Sequence, residues 1–290
     1  MSDSTASLRR KINSARDLQS VVRTMKALAA SSIGQYEKSV RALTDYYRTV
    51  ELGLGASFRA AEPDALVKQT DTSELGAIVF GSDQGLVGQF NDVVVDYVIK
   101  TLKTLPGKPH VWAVGERVHA RLKDAGLSMA GLFTVPNSVK AIIPLVGQIQ
   151  IESETHRTKG EYARVYVFHN RPQVGSLYEP VSQRLLPLDT PWVKGLIEVR
   201  WTTKYQPEVM GGDTLRSLIR EYLFISLFRA CAESLASENA SRLAAMERAD
   251  KNIDELLGNL NSTFHRLRQS SIDEELFDVI SGFEALVKSR

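Results

Sequence analysis

The chain reads as an α/β protein in which two long helices, one at each end, form an antiparallel coiled coil joined to a Rossmann-like α/β central domain. Three observations carry that expectation. All ten prolines lie between Pro63 and Pro207, and because proline inside a helix costs about 3 kcal/mol or more, both ends permit long unbroken helices. Apolar residues recur at steps of three and four through both ends. The middle changes period, with short apolar runs alternating with amphipathic stretches.

The N-terminal helix is expected over residues 1–62. Ala15, Leu18, Val22, Met25, Ala29, Ser32, Tyr36, Val40, Leu43, Tyr47, Val50 and Leu54 form its stripe. The C-terminal helix is expected over 208–290, with Leu243, Met246, Asp250, Ile253, Leu257, Leu260, Phe264 and Leu267 in the matching stripe and Asp250 as its one charged member. Each stripe is a seam, too narrow to cover a globular core, and the chain holds no third segment of this kind. The two ends are therefore expected to pair antiparallel, with Met25 and the Leu260-to-Leu267 neighbourhood facing inward. At 1.5 Å rise per residue, a C-terminal helix of about 75 residues is roughly 110 Å long, so a rod should protrude from whatever lies between. Charge favours the pairing: residues 1–62 carry ten Lys/Arg against six Asp/Glu, and residues 208–290 carry ten against fourteen.

Residues 63–207 are expected to form the α/β domain. Leu75–Phe80, Val111–Val114, Ala163–Phe168 and Gln183–Leu188 read as strands, and Asn91–Leu105 and Glu116–Ala125 as amphipathic helices. Ser138–Glu154 is a weaker helical stretch interrupted by Pro144. Strands alternating with helices of ten to fifteen residues imply right-handed crossovers and a mostly parallel sheet. That architecture by itself names no activity.

Composition narrows the class. No apolar run approaches the eighteen or so residues of a membrane span, so direct lipid insertion is not expected. The first twenty residues lack the order of a signal peptide, and the lone cysteine, Cys231, forbids an internal disulfide; both fit a cytosolic chain. A net charge of +2 gives no reason to expect nucleic acid.

One glycine-rich loop, Gly81-Ser82-Asp83-Gln84-Gly85-Leu86-Val87-Gly88-Gln89-Phe90-Asn91, follows the first strand and precedes a helix. Its position suits a phosphate cradle, since amides at a helix N-terminus attract anions. Its spacing does not: it is neither GxGxxG nor GxxxxGK[ST] and offers no lysine to a phosphate. A tight turn whose glycines take positive φ is the expectation. The five histidines, His110, His119, His156, His169 and His265, show no metal-ligand spacing, and no GxSxG elbow occurs. No catalytic residue, cofactor or metal site is expected. The acidic run Asp273, Glu274, Glu275 and Asp278 reads as a solvated helix face.

Particular residues carry a family resemblance. Ser237-Glu238-Asn239-Ala240-Ser241-Arg242-Leu243-Ala244-Ala245-Met246, then Asp250-Lys251-Asn252, then Arg268-Gln269-Ser270-Ser271-Ile272-Asp273-Glu274-Glu275-Leu276 closely resemble the C-terminal signature of the γ subunit of F-type ATP synthases. The GSDQGLVGQFN loop resembles that family's GSDRGLCGGFN. Ile12, Ser14, Gln19, Thr24, Met25, Lys26, Ala29 and Ala30 match its N-terminal helix, and together the matches span nearly the whole chain.

The resemblance implies a non-catalytic central-stalk rotor. Its shaft would lie inside the ring of α and β subunits, with catalytic sites on β, and its foot on the ε subunit and the membrane c-ring, at the cytoplasmic face of a bacterial membrane. As the shaft turns, ion flow through the membrane ring would be coupled to ATP synthesis or hydrolysis. Matching positions assign contacts to the catalytic ring for Arg9, Arg10 and Lys11, for Met25 and Lys26, and for Arg242, Arg268 and Gln269. They assign Tyr205 and Glu208 to the membrane ring or ε. Lys26 reads equally as a solvated helix residue, and Arg242, Arg268 and Gln269 as members of helix-stabilising pairs within the chain.

The chain departs from the family pattern at Gln84, Val87 and Gln89 in the loop, and at Ser31-Ser32-Ile33-Gly34-Gln35-Tyr36, where a basic stretch is expected. In this it is similar to the divergent γ subunits of alternative bacterial ATPases, some of them sodium-translocating. Two readings from other classes stay open: a Rossmann-type nucleotide-binding enzyme with a helical arm, and a coiled-coil adaptor between cytosolic partners.

Overall fold

In the computed structural model, residues 5–60, 74–158, 164–173, 176–199 and 211–288 are described. The chain divides into two compact units, one of Met1–Leu28 with Leu243–Arg290 and one of Ala29–Arg242. Boundaries at 62 and 207 fall outside the described residues.

The N-terminal segment is two helices, α1 (Thr5–Ala42) and α2 (Thr44–Ala60). The ladder slips between them, where the Leu43 amide bonds the Val40 carbonyl three residues back and normal spacing resumes with Tyr47 to Leu43. No proline or glycine marks the break, so the apolar period runs through it unchanged. The C-terminal helix, α7 (Gly211–Lys288), is continuous over 78 residues.

In the first unit, Leu8, Ile12, Ala15, Gln19 and Val22 are buried along one face of α1, and Met246 and Ile253 along one face of α7. Val22, Met246 and Ile253 form a cluster flanked by Met25, Ala245, Ala249 and Leu257. Leu260, Phe264 and Leu267 are half-buried on the same stripe. Antiparallel pairing follows from the polar contacts, since Gln19 reaches Asp254 while Lys26 reaches Asp250. One expected seam position is displaced: Leu18 is exposed and the neighbouring Gln19 is buried. A step of four from Ala15 keeps the stripe in phase with Val22 better than a step of three, and the amide at the fourth position has carboxylate partners on α7.

In the second unit, β1 (Glu74–Phe80), β2 (Lys108–Val114), β3 (Met129–Phe133), β4 (Arg164–Gln173) and β5 (Ser176–Leu186) form one sheet in the order β3-β2-β1-β4-β5. Four strands are parallel and β5 runs antiparallel to β4. β1 alternates strictly: Leu75, Ala77 and Val79 point into a layer built by α3 (Phe90–Thr104) and α4 (Glu116–Asp124), with Val94, Val98, Val118 and Leu122. Ile78 and Phe80 point into the opposite layer, built by α5 (Val139–Thr158) and α7, with Ile142, Val146, Cys231 and Leu235. A strand covered on both faces reads as an unbroken apolar run, as LGAIVF does.

The sheet has one more strand than the sequence suggests. β3 is short, on an edge, and carries Gly131, so its apolar signal is weak. β5 is longer than expected and pairs antiparallel with β4; Pro180 lies within it, on an edge strand, where proline is tolerated. α6 (Thr190–Glu198) is too short to leave a clear period. Pro144 lies inside α5 without ending it; it and Lys140 are both exposed, so the carbonyl that loses its partner faces water. A third core, of Val50, Leu54 and Phe58 on α2 with Leu196 on α6 and Leu215, Tyr222 and Ile225 on α7, completes the unit.

Candidate partner-binding surface

The glycine-rich loop after β1 is held by side chains from every element around it. Asn91 is the hub: its Oδ1 accepts the Ser82 amide at 3.0 Å and its Nδ2 donates to Ser82 Oγ at 2.8 Å, while Ser82 Oγ donates to the Gln84 carbonyl. Asp83 accepts the amide of Glu116 at the start of α4 and that of Val135 beyond β3, each at 2.9 Å. Gly88 takes φ 56°, the expected use of a loop glycine, but Leu86 at φ 63° does the same without being one. Gly81 answers a different demand, since a Cβ there would lie 2.3 Å from Val118 Cβ.

α7 closes over this region. Ser241 Oγ donates to the Val87 carbonyl at 2.6 Å, Asn170 Nδ2 donates to the Phe90 carbonyl at 2.8 Å, and His169 Nε2 meets Glu233 Oε2 at 2.8 Å with both side chains buried. In a doubly wound sheet, ligands bind outside the carboxyl ends of the strands where strand order reverses, here between β1 and β4. Helix α7 occupies that crevice. Burial alone would raise the Glu233 carboxyl, but hydrogen bonds from His169 and Arg229 outweigh it and hold the group below its usual range. Among the described residues no group of three or more His, Cys, Asp or Glu could hold a metal ion.

The residues assigned to partners by resemblance fall into distinct settings. Arg9, Arg10 and Lys11 are exposed on the first turns of α1. Met25 is half-buried in the α1–α7 seam. Lys26 reaches across it, with Nζ 3.3 Å from Asp250 Oδ2. Arg242 is enclosed, donating to Glu238 four residues earlier and to Asn239 Oδ1 at 3.2 Å. Burial raises the Glu238 carboxyl and the Arg242 charge opposes it. Arg268 and Gln269 are exposed on α7. Tyr205 and Glu208 lie outside the described residues.

Two features had no place in the sequence reading. The first is a polar clamp in the seam, where Asp250 accepts from Gln19 at 3.3 Å, Arg23 at 3.2 Å and Lys26 at 3.3 Å, and Asp254 takes a second bond from Gln19. Some burial works to raise the Asp250 carboxyl, but these donors prevail and lower it. Asp250 was visible as the charged member of the stripe; Gln19 and Arg23 one turn apart on α1 were the missing signal. The second is the end of α7. From Arg268 to Ser281 every residue is exposed, including Ile272, Leu276, Phe277, Val279 and Ile280. Leu18, Val21 and Leu28 form a smaller outward stripe on α1. Exposed apolar side chains grouped on one helix end in this way mark a candidate interaction site.

Comparison with known proteins decides among the open readings. A family model described as ATP synthase matches residues 4–286. The chain belongs to the γ-subunit family of F-type ATP synthases. The ATP synthase gamma chains of Cupriavidus pinatubonensis and Stenotrophomonas maltophilia are 26% and 25% identical to it, over 97% and 96% of this chain and 99% and 98% of theirs. A chain of the Euglena gracilis mitochondrial ATP synthase (OSCP/F1/c-ring, rotational state 3) shares the fold with a TM-score of 0.66 at 15% identity, covering 97% of this chain and 94% of its own. A chain of the same enzyme's rotor, in rotational state 1, gives 0.62 at 14% identity, covering 92% and 98%. By family, a γ subunit is a non-catalytic stalk subunit of a rotary ATP synthase. Among the described residues no helix is long and apolar enough to cross a membrane.

Proposed function

We propose that this γ-family chain is the rotor that couples ion flow through a membrane c-ring to ATP synthesis or hydrolysis on a surrounding ring of α and β subunits. The catalytic sites lie on the β subunits, and the chain itself carries out no chemistry. Its foot meets ε and the c-ring at the cytoplasmic face of a bacterial membrane. The observation that carries this reading is the whole-length match to γ chains together with the bare end of α7, where Ile272, Leu276, Phe277, Val279 and Ile280 lie uncovered. Exposed apolar side chains grouped in this way mark an interaction site, and a ring of subunits around a shaft would cover them on every side.

The residues divide the work accordingly. Arg9, Arg10, Lys11, Arg268 and Gln269 are exposed and meet the ring directly, whereas Met25 and Lys26 act on it by holding α1 against α7, and Arg242 by its bonds within α7 to Glu238 and Asn239. Tyr205 and Glu208 belong to the foot contact. The polar clamp at Asp250 resists sliding of one helix along the other, which a torque-bearing shaft requires.

Against the enzyme reading stand the bonds of α7 to the loop after β1 and to β4, on the side where a nucleotide would sit. The adaptor reading gives no reason for similarity along the entire length. Purification of the native complex tests the proposal: the chain should co-elute with α, β and ε subunits in a complex that hydrolyses ATP. Elution as a free protein, or stoichiometric ATP binding by the isolated chain, would contradict it.

A further inference from the structure

Helix α5 is apolar on both of its faces, and the fold covers only one. From Ala141 to Ile151 it carries no charged residue. Ile142, Leu145, Val146 and Ile149 turn inward and share a buried cluster with Phe80, Trp112 and Leu235. On the other side Ile143 and Ile151 are 55% and 68% exposed, Pro144 is exposed beside them, and Gly147 lies between with open space where a Cβ would stand. A surface helix ordinarily turns polar residues to water. An uncharged outer face with two exposed isoleucines is a candidate contact.

The outer stripe mirrors itself about Gly147. Ile143 and Ile151 stand four residues to either side of the glycine, and Lys140 and Glu154, both exposed, stand seven. At 3.6 residues per turn all five fall on the side opposite the buried four, at about 6 Å and about 10.5 Å along the axis from Gly147. Two copies related by a two-fold axis at Gly147 and running antiparallel would set Ile143 against Ile151 of the second copy and Lys140 against its Glu154, twice over. Glu154 lies 3.5 Å from Arg220, but both are exposed, and the carboxylate can take a second cation. The glycine falls where the helices cross, and its missing side chain lets the axes approach to about 8 Å, the near end of the usual range. A partner of another sequence gives no reason for such a mirror in size and charge.

We propose that α5 is a self-association surface through which two copies of this chain pair antiparallel about Gly147. One helix face from each copy is a small contact, so the dimer is weak and depends on concentration. The pairing belongs to the α/β domain and does not draw on the rotor reading, since free chains form it without α or β subunits.

Sedimentation of the isolated full chain over a concentration series tests the proposal. A reversible monomer–dimer equilibrium is expected, unchanged in Phe277→Ser, which alters the exposed end of α7 and leaves α5 alone. Gly147→Gln, which adds bulk where the space is open, should weaken the dimer about tenfold or more by holding the helices apart. Lys140→Glu and Glu154→Lys, each setting like charges opposite one another at both ends of the pair, should weaken it about threefold or more, and the two changes together should restore it. A dimer indifferent to Gly147→Gln, a dimer lost in Phe277→Ser, or failure of the paired charge changes to restore what each removes would overturn the proposal. A chain monomeric throughout the series would overturn it as well, and weakened binding of ε by Gly147→Gln would then assign the face to that subunit.

Discussion

Arg242 and Arg268 are placed on the same helix in opposite physical situations, and their removal should have opposite signatures. Arg242 neutralises Glu238, a carboxylate almost wholly out of water, so Arg242→Ala leaves a buried charge without its partner. A loss of about 3 kcal/mol of unfolding free energy is expected for the isolated subunit, read by denaturant titration. Arg268 and Gln269 are exposed and touch nothing that such a loss could disturb. The double change Arg268→Ala with Gln269→Ala should leave helicity and stability as they are and lower assembly or ATP-driven rotation of the complex. Truncating one partner of a charge-assisted hydrogen bond costs about 1.5 to 3 kcal/mol when it is shielded from water, as it would be inside the ring. Unaltered assembly, ATPase rate and torque would remove both residues from the functional surface.

Acid should act through Glu233 at the same scale. Its carboxyl is held below the usual range, so its contribution is complete above the unfolded value of about 4.3 and is lost as pH falls through the lower folded value. Asp250 shifts in the same direction and adds to the loss in the other unit. Thermal unfolding followed from neutral pH down to about pH 2 should show a midpoint that falls steeply below about pH 4. Glu233→Gln should be less stable at neutral pH and should lose less on acidification; an identical slope for wild type and variant would refute the assignment.

Among the elements, the loop after β1 and the seam show best what sequence reveals. The absence of lysine and of dinucleotide spacing pointed away from a phosphate cradle, and the folded loop spends its polar groups on Asn91, Glu116 and Val135. The roles of its glycines were not legible, because only the fold brings Val118 against Gly81. Gly81→Ala should cost about 1–3 kcal/mol by overpacking. Gly85→Ala, whose Cβ meets nothing closer than 3.9 Å, should change stability by no more than about 0.5 kcal/mol. Equal effects at the two positions would show that the loop yields where the packing says it cannot. In the seam, a three-or-four period located the helices, and the lack of a third seam pointed to their antiparallel pairing. It could not choose between Leu18 and Gln19, because the choice rests on Asp250 and Asp254, more than two hundred residues away. β3 and α6 escaped notice for a simpler reason, being too short to establish a period.

At the scale of the whole molecule, two proline-free ends and a change of period between them were enough to predict paired long helices and an α/β sheet domain. The partners were legible only through resemblance: nothing in the periodicity distinguishes an exposed apolar helix end that a ring encloses from one that a second copy covers. The residues from Ile272 to Ile280 are exposed, and the relatives are γ chains of ATP synthases; the proposal joins the two by placing this helix end inside the ring. The central claim is that this chain turns inside the ring as ATP is consumed, and observation of single complexes tests it most directly. With the ring reconstituted from α and β and fixed to a surface, and a probe attached to the foot of this chain, addition of ATP should produce unidirectional rotation in steps of one third of a turn. ATP hydrolysis by such complexes with the probe stationary, or hydrolysis unchanged when a cross-link between this chain and the ring prevents turning, would contradict the account.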